Sequence, residues 1–266
     1  MTRPLVSIVT PSLDQAAFVE RTVESVLSQR GDFDLQYLVQ DGGSTDGTLA
    51  VLERYRDRLE LVVEPDRGQA DAVNRALRRA RGDILGWVNS DDLLRPGAVQ
   101  RAVEAFRDRP GALWLHGRCD IVDEEDRPIR RLVAAYKDRR ARRHSLERLL
   151  VENYVSQMTV FWRRSLQERV GLLDPELRYT FDYDLWLRFA RVAPPLYLPE
   201  TLAAFRWHAA SKSGSSFERQ FQEDHRVFLR HAPAGRWLGW RKRLRTAQIL
   251  AVYRALRALR PREEAR

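Results

Sequence analysis

Two pairs of acids are placed where they could do chemistry. Asp91 and Asp92 follow the apolar stretch Asp83–Asn89 and lead into Leu93-Leu94. Adjacent carboxylates at the end of a buried strand are costly unless they are solvated, paired or bound to a metal. A hard cation, Mg²⁺ or Mn²⁺, is held by one or two such carboxylates together with the phosphates of a substrate. The plain alternative is a helix N-cap beside a solvated acid. The second pair lies in Phe181-Asp182-Tyr183-Asp184-Leu185-Trp186, which reads as the start of a helix. The helix dipole favours an acid there, and it keeps a carboxylate ionised, as a general base must be. One acid as cap and one as base uses both.

The elements around these residues set the frame. Leu5–Thr10 is β-branched and bounded by Pro11, and reads as a buried strand. Phe18, Val19, Val23, Val26 and Leu27 form a helical stripe within 16–29. Strands at 35–40, 59–64, 83–89 and 112–116 alternate with helices ending near Arg56, at 69–81 and at 97–107. Alternation of this kind implies βαβ units and a mostly parallel sheet. In such sheets ligands bind beyond the carboxyl ends of the strands. Four segments fall at those ends: Thr10–Asp14, Asp41–Asp46, Asp66–Gln69 and Asn89–Asp92. One crevice can gather Asp14, Asp41, Asp66, Gln69, Asp91 and Asp92, and with these neighbours the ligand reading of Asp91-Asp92 gains over the cap. The second half is less regular: a strand over 155–162, a short helix over 163–169, a helix over 181–191, an extended Pro-rich stretch over 194–206 and a helix over 217–230. No linker separates the halves, so a single two-lobed domain is expected.

The loop Asp41-Gly42-Gly43-Ser44-Thr45-Asp46-Gly47 has no Gly-x-Gly-x-x-Gly and no Lys. It is a poor dinucleotide or P-loop fingerprint, though a carboxylate at a strand end can accept hydrogen bonds from a base or ribose; the alternative is a simple turn. Arg206-Trp207-His208, followed by Ser211, Lys212 and Ser213, is a cluster of cations and hydroxyls suited to pyrophosphate oxygens or to plain surface. His116 and His144 read as structural. Cys119, the single cysteine, has no nearby His pattern that would make it a nucleophile.

The net charge is +9, yet residues 234–266 hold ten Arg or Lys against two Glu and so carry +8. The rest of the chain is nearly balanced, apart from a mid-chain cluster at Arg130, Arg131, Lys137, Arg139, Arg140, Arg142 and Arg143. In the tail, Trp237, Trp240, Leu244, Ala247 and Ala251 recur at spacings of three and four beside many arginines. Tryptophan next to a basic face suits an interfacial helix on anionic lipid. A helix docked on its own body, or on a second subunit in a homodimer, is the equal alternative. No apolar run is long enough for a membrane span, and Met1-Thr2-Arg3-Pro4 leads straight into a strand rather than a signal peptide. With one cysteine there is no intrachain disulfide, and a reducing, cytoplasmic setting is expected, with the inner membrane face as the surface within reach.

Taken together, the segments resemble the family 2 glycosyltransferases of GT-A fold. The stretches that carry the resemblance are Val6–Ser12, Asp41–Thr48, Glu64–Gln69, Gly86–Asp92 and Phe181–Arg188, in this order at strand ends. The resemblance implies a Rossmann-like sheet flanked by helices. It divides 1–233 into a nucleotide-sugar half (1–117) and an acceptor half (118–233), with 234–266 as a C-terminal helical extension. It also implies that Thr10, Pro11, Ser12 and Asp41, with Asp14, Asp66, Arg67 and Gln69 nearby, bind the nucleotide-sugar. Asp91 and Asp92 then hold ribose and the metal-diphosphate, with Arg206 and His208 assisting that charge. Asn89 stands where many members carry a further acid. The family's base lies in a Glu-Asp pair before a helix; here Phe181 replaces the Glu and Asp182 takes the place of the Asp. Gln157 falls on a segment that often faces the acceptor, and Asp184 is placed on the same side.

The implied reaction is inverting transfer of a sugar from a nucleotide-sugar, a UDP-sugar first, to a saccharide or lipid-linked saccharide in cell-surface glycan synthesis. The main rival is a non-catalytic nucleotide-sugar or saccharide binder on the same fold, which would need no base at Asp182. A nucleic-acid partner is disfavoured, because the basicity is local and the expected crevice is acidic. A nicotinamide-dependent enzyme is disfavoured by the missing glycine fingerprint.

Overall fold

The structure is a computed structural model that describes residues 3–208, 217–232 and 236–258. The chain opens with β1 (Leu5–Ser12), α1 (Val19–Leu27), β2 (Asp34–Asp41), α2 (Thr48–Glu53), β3 (Glu60–Val63) and α3 (Gln69–Arg79). It continues with β4 (Ile84–Trp87), β5 (Leu93–Leu94), α4 (Ala98–Asp108), β6 (Trp114–Val122), β7 (Pro128–Ile129), α5 (Arg131–Ala141) and α6 (Leu146–Val151). A 3₁₀ turn (Gln157–Thr159) precedes β8 (Phe161–Arg163), α7 (Arg164–Val170), α8 (Phe181–Val192) and β9 (Leu196–Arg206). Helices α9 (Phe217–His231) and α10 (Arg236–Ala258) follow.

The strands form one sheet in the order β3-β2-β1-β4-β8-β6-β9-β5, with β7 paired to β6. β3, β2, β1 and β4 are all parallel, so their carboxyl ends lie along one edge. β8 then enters antiparallel to both β4 and β6. β6 and β9 are parallel, with a shift of register around Arg118, and β6 continues across residue 117, so the two halves share a sheet.

Alternate residues along each strand feed two cores. Val9, Leu85, Trp87 and Trp162 pack with α3, α6, α7 and α8. Ile8, Ile84, Val88 and Phe161 pack with α1 and α4 on the opposite face. Helices on both faces of a largely parallel sheet bury its central strands, and β1 from Val6 onward and β4 are buried along their length.

The strand expected over 155–162 is instead the 3₁₀ turn followed by the three residues of β8. Side chains compete with the ladder here. Thr159 Oγ1 donates to Ser156 O at 2.8 Å, and the Gln157 amide donates to Trp87 O at 2.5 Å. With Thr159 N–H donating to Ser156 O and Val160 N–H to Gln157 O, both at 3.1 Å, the chain turns where periodicity suggested extension.

The C-terminal helix α10 is docked on the body, against α6. Its buried face holds Leu238 and, only 2% exposed, Lys242. Lys242 pairs with Asp224 of α9. Arg245 binds both carboxylate oxygens of Glu152, at 3.0 and 3.1 Å. The apolar stripe faces the other way: Trp237 is 68% exposed and Trp240 55%, with their rings stacked at 5.4 Å. Cations inside and aromatics outside reverse the usual pattern of a docked amphipathic helix. Among the described residues no helix is long and apolar enough to cross a membrane.

Candidate active site

The first two parallel loops are stitched together. Asp14 N–H donates to Ser44 Oγ (2.9 Å), Gln15 N–H to Thr48 Oγ1 (2.7 Å) and Ala16 N–H to Asp46 Oδ2 (2.9 Å). Thr45 N–H returns the bond to Asp14 Oδ1 at 2.8 Å. Asp14 has φ 49°, a left-handed conformation that a short polar side chain tolerates. Asp41, fully buried, accepts from Gly43 N–H, Ser44 N–H and Ser44 Oγ. Its carboxylate therefore shapes the loop from within. The third loop lies against the second: a Cβ on Gly42 would stand 2.7 Å from Asp66 Oδ2. Asp66 Oδ1 accepts from the N–H of Gly68, whose φ of 116° starts α3 and which a side chain would strain. Arg67 points outward, its side chain 74% exposed.

At the end of β1, Thr10 and Ser12 part company. The Thr10 side chain is buried and its hydroxyl accepts from Tyr37 (3.2 Å), so it belongs to the core and not to a crevice. Alternation of side chains along a strand sets this. Ser12 is also buried, and its Oγ has no protein partner. An orphaned buried hydroxyl at a strand end, beside Pro11, is a natural place for a ligand hydrogen bond.

The fourth loop is organised by Asn89. Its Oδ1 accepts from Gln69 Nε2 (2.7 Å) and from the Trp87 indole N–H (2.9 Å). Its amide donates to Asp92 Oδ2 and to Gln157 Oε1, both at 3.1 Å. Gln157 is thus a brace for the end of β4, with both ends of its amide engaged within the protein, and not a group facing an acceptor. The same holds for Asp92, which is fully buried. Its Oδ1 accepts from Arg206 N–H at 3.1 Å, its Oδ2 is taken by Asn89, and its backbone carbonyl by Thr22 Oγ1. Burial, then the adjacent Asp91 charge, push its carboxyl well above the ordinary range. Asp92 is accordingly an anchor of the loop, with both carboxylate oxygens engaged within the protein.

Asp91 is the more open acid. Its Oδ2 lies 3.1 Å from His208 Nε2, and the His208 ring rests on Phe18 with centroids 4.6 Å apart. Arg206, expected near diphosphate, is fully buried. Its guanidinium donates to Asp126 Oδ1 at 2.6 and 3.0 Å and to Asp91 O at 2.7 Å. It is a strut that fixes Asp91 from below, leaving His208 as the residue of that cluster that meets the acid. Ser211, Lys212 and Ser213 lie outside the described residues.

Asp182 sits in the first turn of α8, half-buried, its Oδ1 accepting from Tyr183 N–H at 2.7 Å. Burial raises its carboxyl to about 6, against the pull of that N–H, of Lys137 and of the Asn153 side chain. Asp184, one face away on the helix, is locked between Arg188 Nε (2.9 Å) and His231 Nε2 (2.8 Å). It ties α8 to α9 and is not available to an acceptor. Burial holds the buried His116 down to about 3 and the partly buried His144 to about 4, which favours the neutral ring in both. The Cys119 thiol is pushed up to about 12 by burial and is inert.

Two contributors carry no sequence signal. Asp126 joins Arg206 to Arg21. Asn153 adjoins Asp182. Both lie on irregular chain that only the fold brings back to the crevice. Arg130, from the mid-chain basic cluster, lies 4.0 Å over the Trp207 ring.

A divalent cation fits part of this donor set. Among the described residues there is no cluster of three or more His, Cys, Asp or Glu that would hold a metal alone. The convergent pair Asp91 and His208 supplies one carboxylate and one imidazole, enough for an ion that shares its remaining positions with a diphosphate.

Comparisons with known proteins bear on the family and the fold. Residues 7–170 match the sequence profile of glycosyl transferase family 2. The putative teichuronic acid biosynthesis glycosyltransferase TuaG of Bacillus subtilis is 27% identical over 226 residues, 79% of this chain and 86% of that protein. The mannosyltransferase PcManGT from Pyrobaculum calidifontis, solved with GDP-Man and Mn²⁺, superposes with TM-score 0.64 at 21% identity, over 95% of this chain and 76% of its own. S. aureus TarS 1–349 with UDP-GlcNAc superposes with TM-score 0.63 at 20% identity, over 84% of this chain. The chain spans only 65% of that TarS chain. The fold is GT-A, and the chain belongs to glycosyl transferase family 2.

Proposed function

We propose that the protein transfers a sugar, with inversion, from a nucleotide-sugar to a hydroxyl of a saccharide or lipid-linked saccharide acceptor in cell-surface glycan synthesis. The observation that carries this is the placement of Asp182. Its half-buried carboxylate, poised near 6, opens the helix whose first residue, Phe181, stacks on Trp87 at the end of the acid-bearing strand. Asp182 takes the proton from the acceptor hydroxyl as that oxygen bonds to the anomeric carbon and the bond from that carbon to the diphosphate oxygen breaks. Asp91 and His208 are the residues that would hold Mg²⁺ or Mn²⁺. The ion, when bound, supplies charge neutralisation for the departing diphosphate. Ser12, Asp14, Asp41, Asp66 and Gln69 line or shape the nucleotide side.

The acceptor class rests on likeness to TuaG, and the choice of a UDP-sugar on likeness to the TarS complex. The outward aromatic stripe of α10, within a C-terminal stretch of charge +8, supports contact with an anionic membrane surface. The test is release of nucleoside diphosphate from UDP-GlcNAc and GDP-mannose, with and without Mn²⁺ and saccharide acceptors. Binding of donor with no turnover in wild type, across a broad donor and acceptor panel, would favour the non-catalytic binder.

A further inference from the structure

Just before α8, three consecutive backbone N–H groups point at one side chain from a helix more than forty residues later. Glu223 of α9 is 3% exposed. Its Oε2 accepts from Arg178 N–H at 3.0 Å, and its Oε1 from Tyr179 N–H at 2.6 Å and Thr180 N–H at 2.8 Å. Thr180 Oγ1 adds a fourth bond, at 3.0 Å. Thr180 is the N-cap of α8, yet its own side chain makes no capping bond; the hydroxyl is turned to Glu223 instead. Asp182 stands two residues on. Charge-assisted bonds of this kind are short and directional, and an acid beside a helix N-terminus is favoured by the dipole. The neighbour of Glu223, Asp224, is itself fixed by Lys242 of α10, whose ammonium lies 5.1 Å over the Tyr183 ring. On the other side, Arg245 of α10 holds Glu152, next to Asn153.

We propose that Glu223 is the positioning residue for Asp182: its carboxylate sets the backbone at 178–180, and so the place and direction in which the first turn of α8 offers its base. The role rests on the reading of Asp182 as that base. A displacement of about 1 Å at a reacting group can cost a factor of ~10² in rate, so a grip on three successive amides is a strong lever on turnover while leaving the donor loops untouched.

The test uses the full chain with Glu223→Gln and Glu223→Ala. Gln keeps the shape but removes the charge, so it remains readable where Ala fails to fold. Hydrogen–deuterium exchange needs no donor. The segment 178–184 should lose protection by about 10-fold or more, with the strands near 84–92 unchanged. In turnover of UDP-GlcNAc or GDP-mannose with Mn²⁺, kcat should fall by about 10- to 100-fold with donor KM unchanged. In an Asp182→Asn background, Glu223→Gln should cost nothing further, because a residue that acts through the base has no effect without it. Unchanged exchange at 178–184, a wild-type kcat in Glu223→Gln, or a full multiplicative loss in the double variant would each overturn the role. Wild-type turnover by Asp182→Asn would instead remove the base assignment itself, and is read from that single variant alone.

Discussion

Phe181 lies stacked on Trp87 with ring centroids 5.6 Å apart, and the Trp87 indole N–H donates to Asn89. This contact joins the two acid-bearing ends of the candidate site. Trp87 closes the strand that delivers Asp91, and Phe181 opens the helix that delivers Asp182. The position where family members carry a Glu beside the base is thus occupied by a packing residue. A second carboxylate there would have to be desolvated against an indole face, which is costly. With an aromatic instead, Asp182 has no adjacent acid in the chain on that side, and burial is the leading cause of its raised ionisation range.

Asp182→Asn is expected to leave donor binding near wild type and to cut turnover by ~10²–10⁴, the usual size of a general-base contribution. The pH profile gives the sign. A base works deprotonated, and burial places this carboxyl at about 6. Turnover should therefore rise with pH through about 6 and level off above it. Steady-state kinetics between pH 4.5 and 8 would reveal that limb in wild type and its loss in the variant. A rate independent of pH below 6 in wild type would remove Asp182 from the role.

Asp91 and Asp92 should separate cleanly on mutation. Asp91→Ala removes the carboxylate that meets His208, and calorimetry should show UDP binding that no longer responds to Mn²⁺. Asp92→Ala acts on the fold: it leaves the buried Arg206 N–H and the Asn89 amide without their acceptor. Each unsatisfied group costs about 1–3 kcal/mol, so a lowered denaturant midpoint is expected. If Asp92→Ala unfolds like wild type but loses only its response to Mn²⁺, the assignment of the two acids is reversed.

Much of the first half was legible because local rules and the fold agree there. β1, β2, β3 and β4 end where the turn-rich acidic segments begin, and a parallel sheet places those ends along one edge. What could not be read was the direction of individual side chains. Thr10 and Ser12 are both small hydroxyl residues at one strand end, yet one bonds to Tyr37 and the other is orphaned. Asp91 and Asp92 are chemically identical neighbours, and only the return of β9, 114 residues after Asp92, makes one an anchor by way of Arg206 N–H. Gln157 and Asp184 were drawn to the acceptor by family position, while long-range partners, Asn89 and His231, claim them. Motifs specify which residues gather; contacts distant in sequence decide which of them face a ligand.

Of the alternatives for the tail, the buried Lys242–Asp224 pair favours a helix docked on its own body. Breaking a buried ion pair from one side costs about 3–5 kcal/mol, because the remaining charge stays desolvated. Lys242→Met should therefore destabilise strongly, and Lys242→Met combined with Asp224→Asn should recover much of the loss. Removal of residues 234–266 should resemble the single variant, with a lowered melting temperature of the body. A truncated chain as stable as wild type would mean that the α10 contact contributes little in solution.

Membrane contact can instead be tested without disturbing the docked face. Trp237 and Trp240 are more than half exposed and touch each other, while Leu238 and Lys242 face the body. Replacing both tryptophans by Ser should leave the melting temperature within the narrow range typical of surface substitutions. It should also sharply reduce sedimentation with vesicles rich in anionic lipid, because indole rings supply the interfacial burial. The basic residues supply the remainder, at about 1 kcal/mol each near an anionic surface. Their share should weaken at high salt, where exposed charges are screened over about 3 Å at 1 M instead of about 10 Å at 0.1 M. Neutral vesicles should bind poorly in either case. If the wild type ignores anionic vesicles at low salt, the stripe does not serve a membrane. If the double variant instead converts a dimer to a monomer in analytical ultracentrifugation, its occupant is a second copy of the chain.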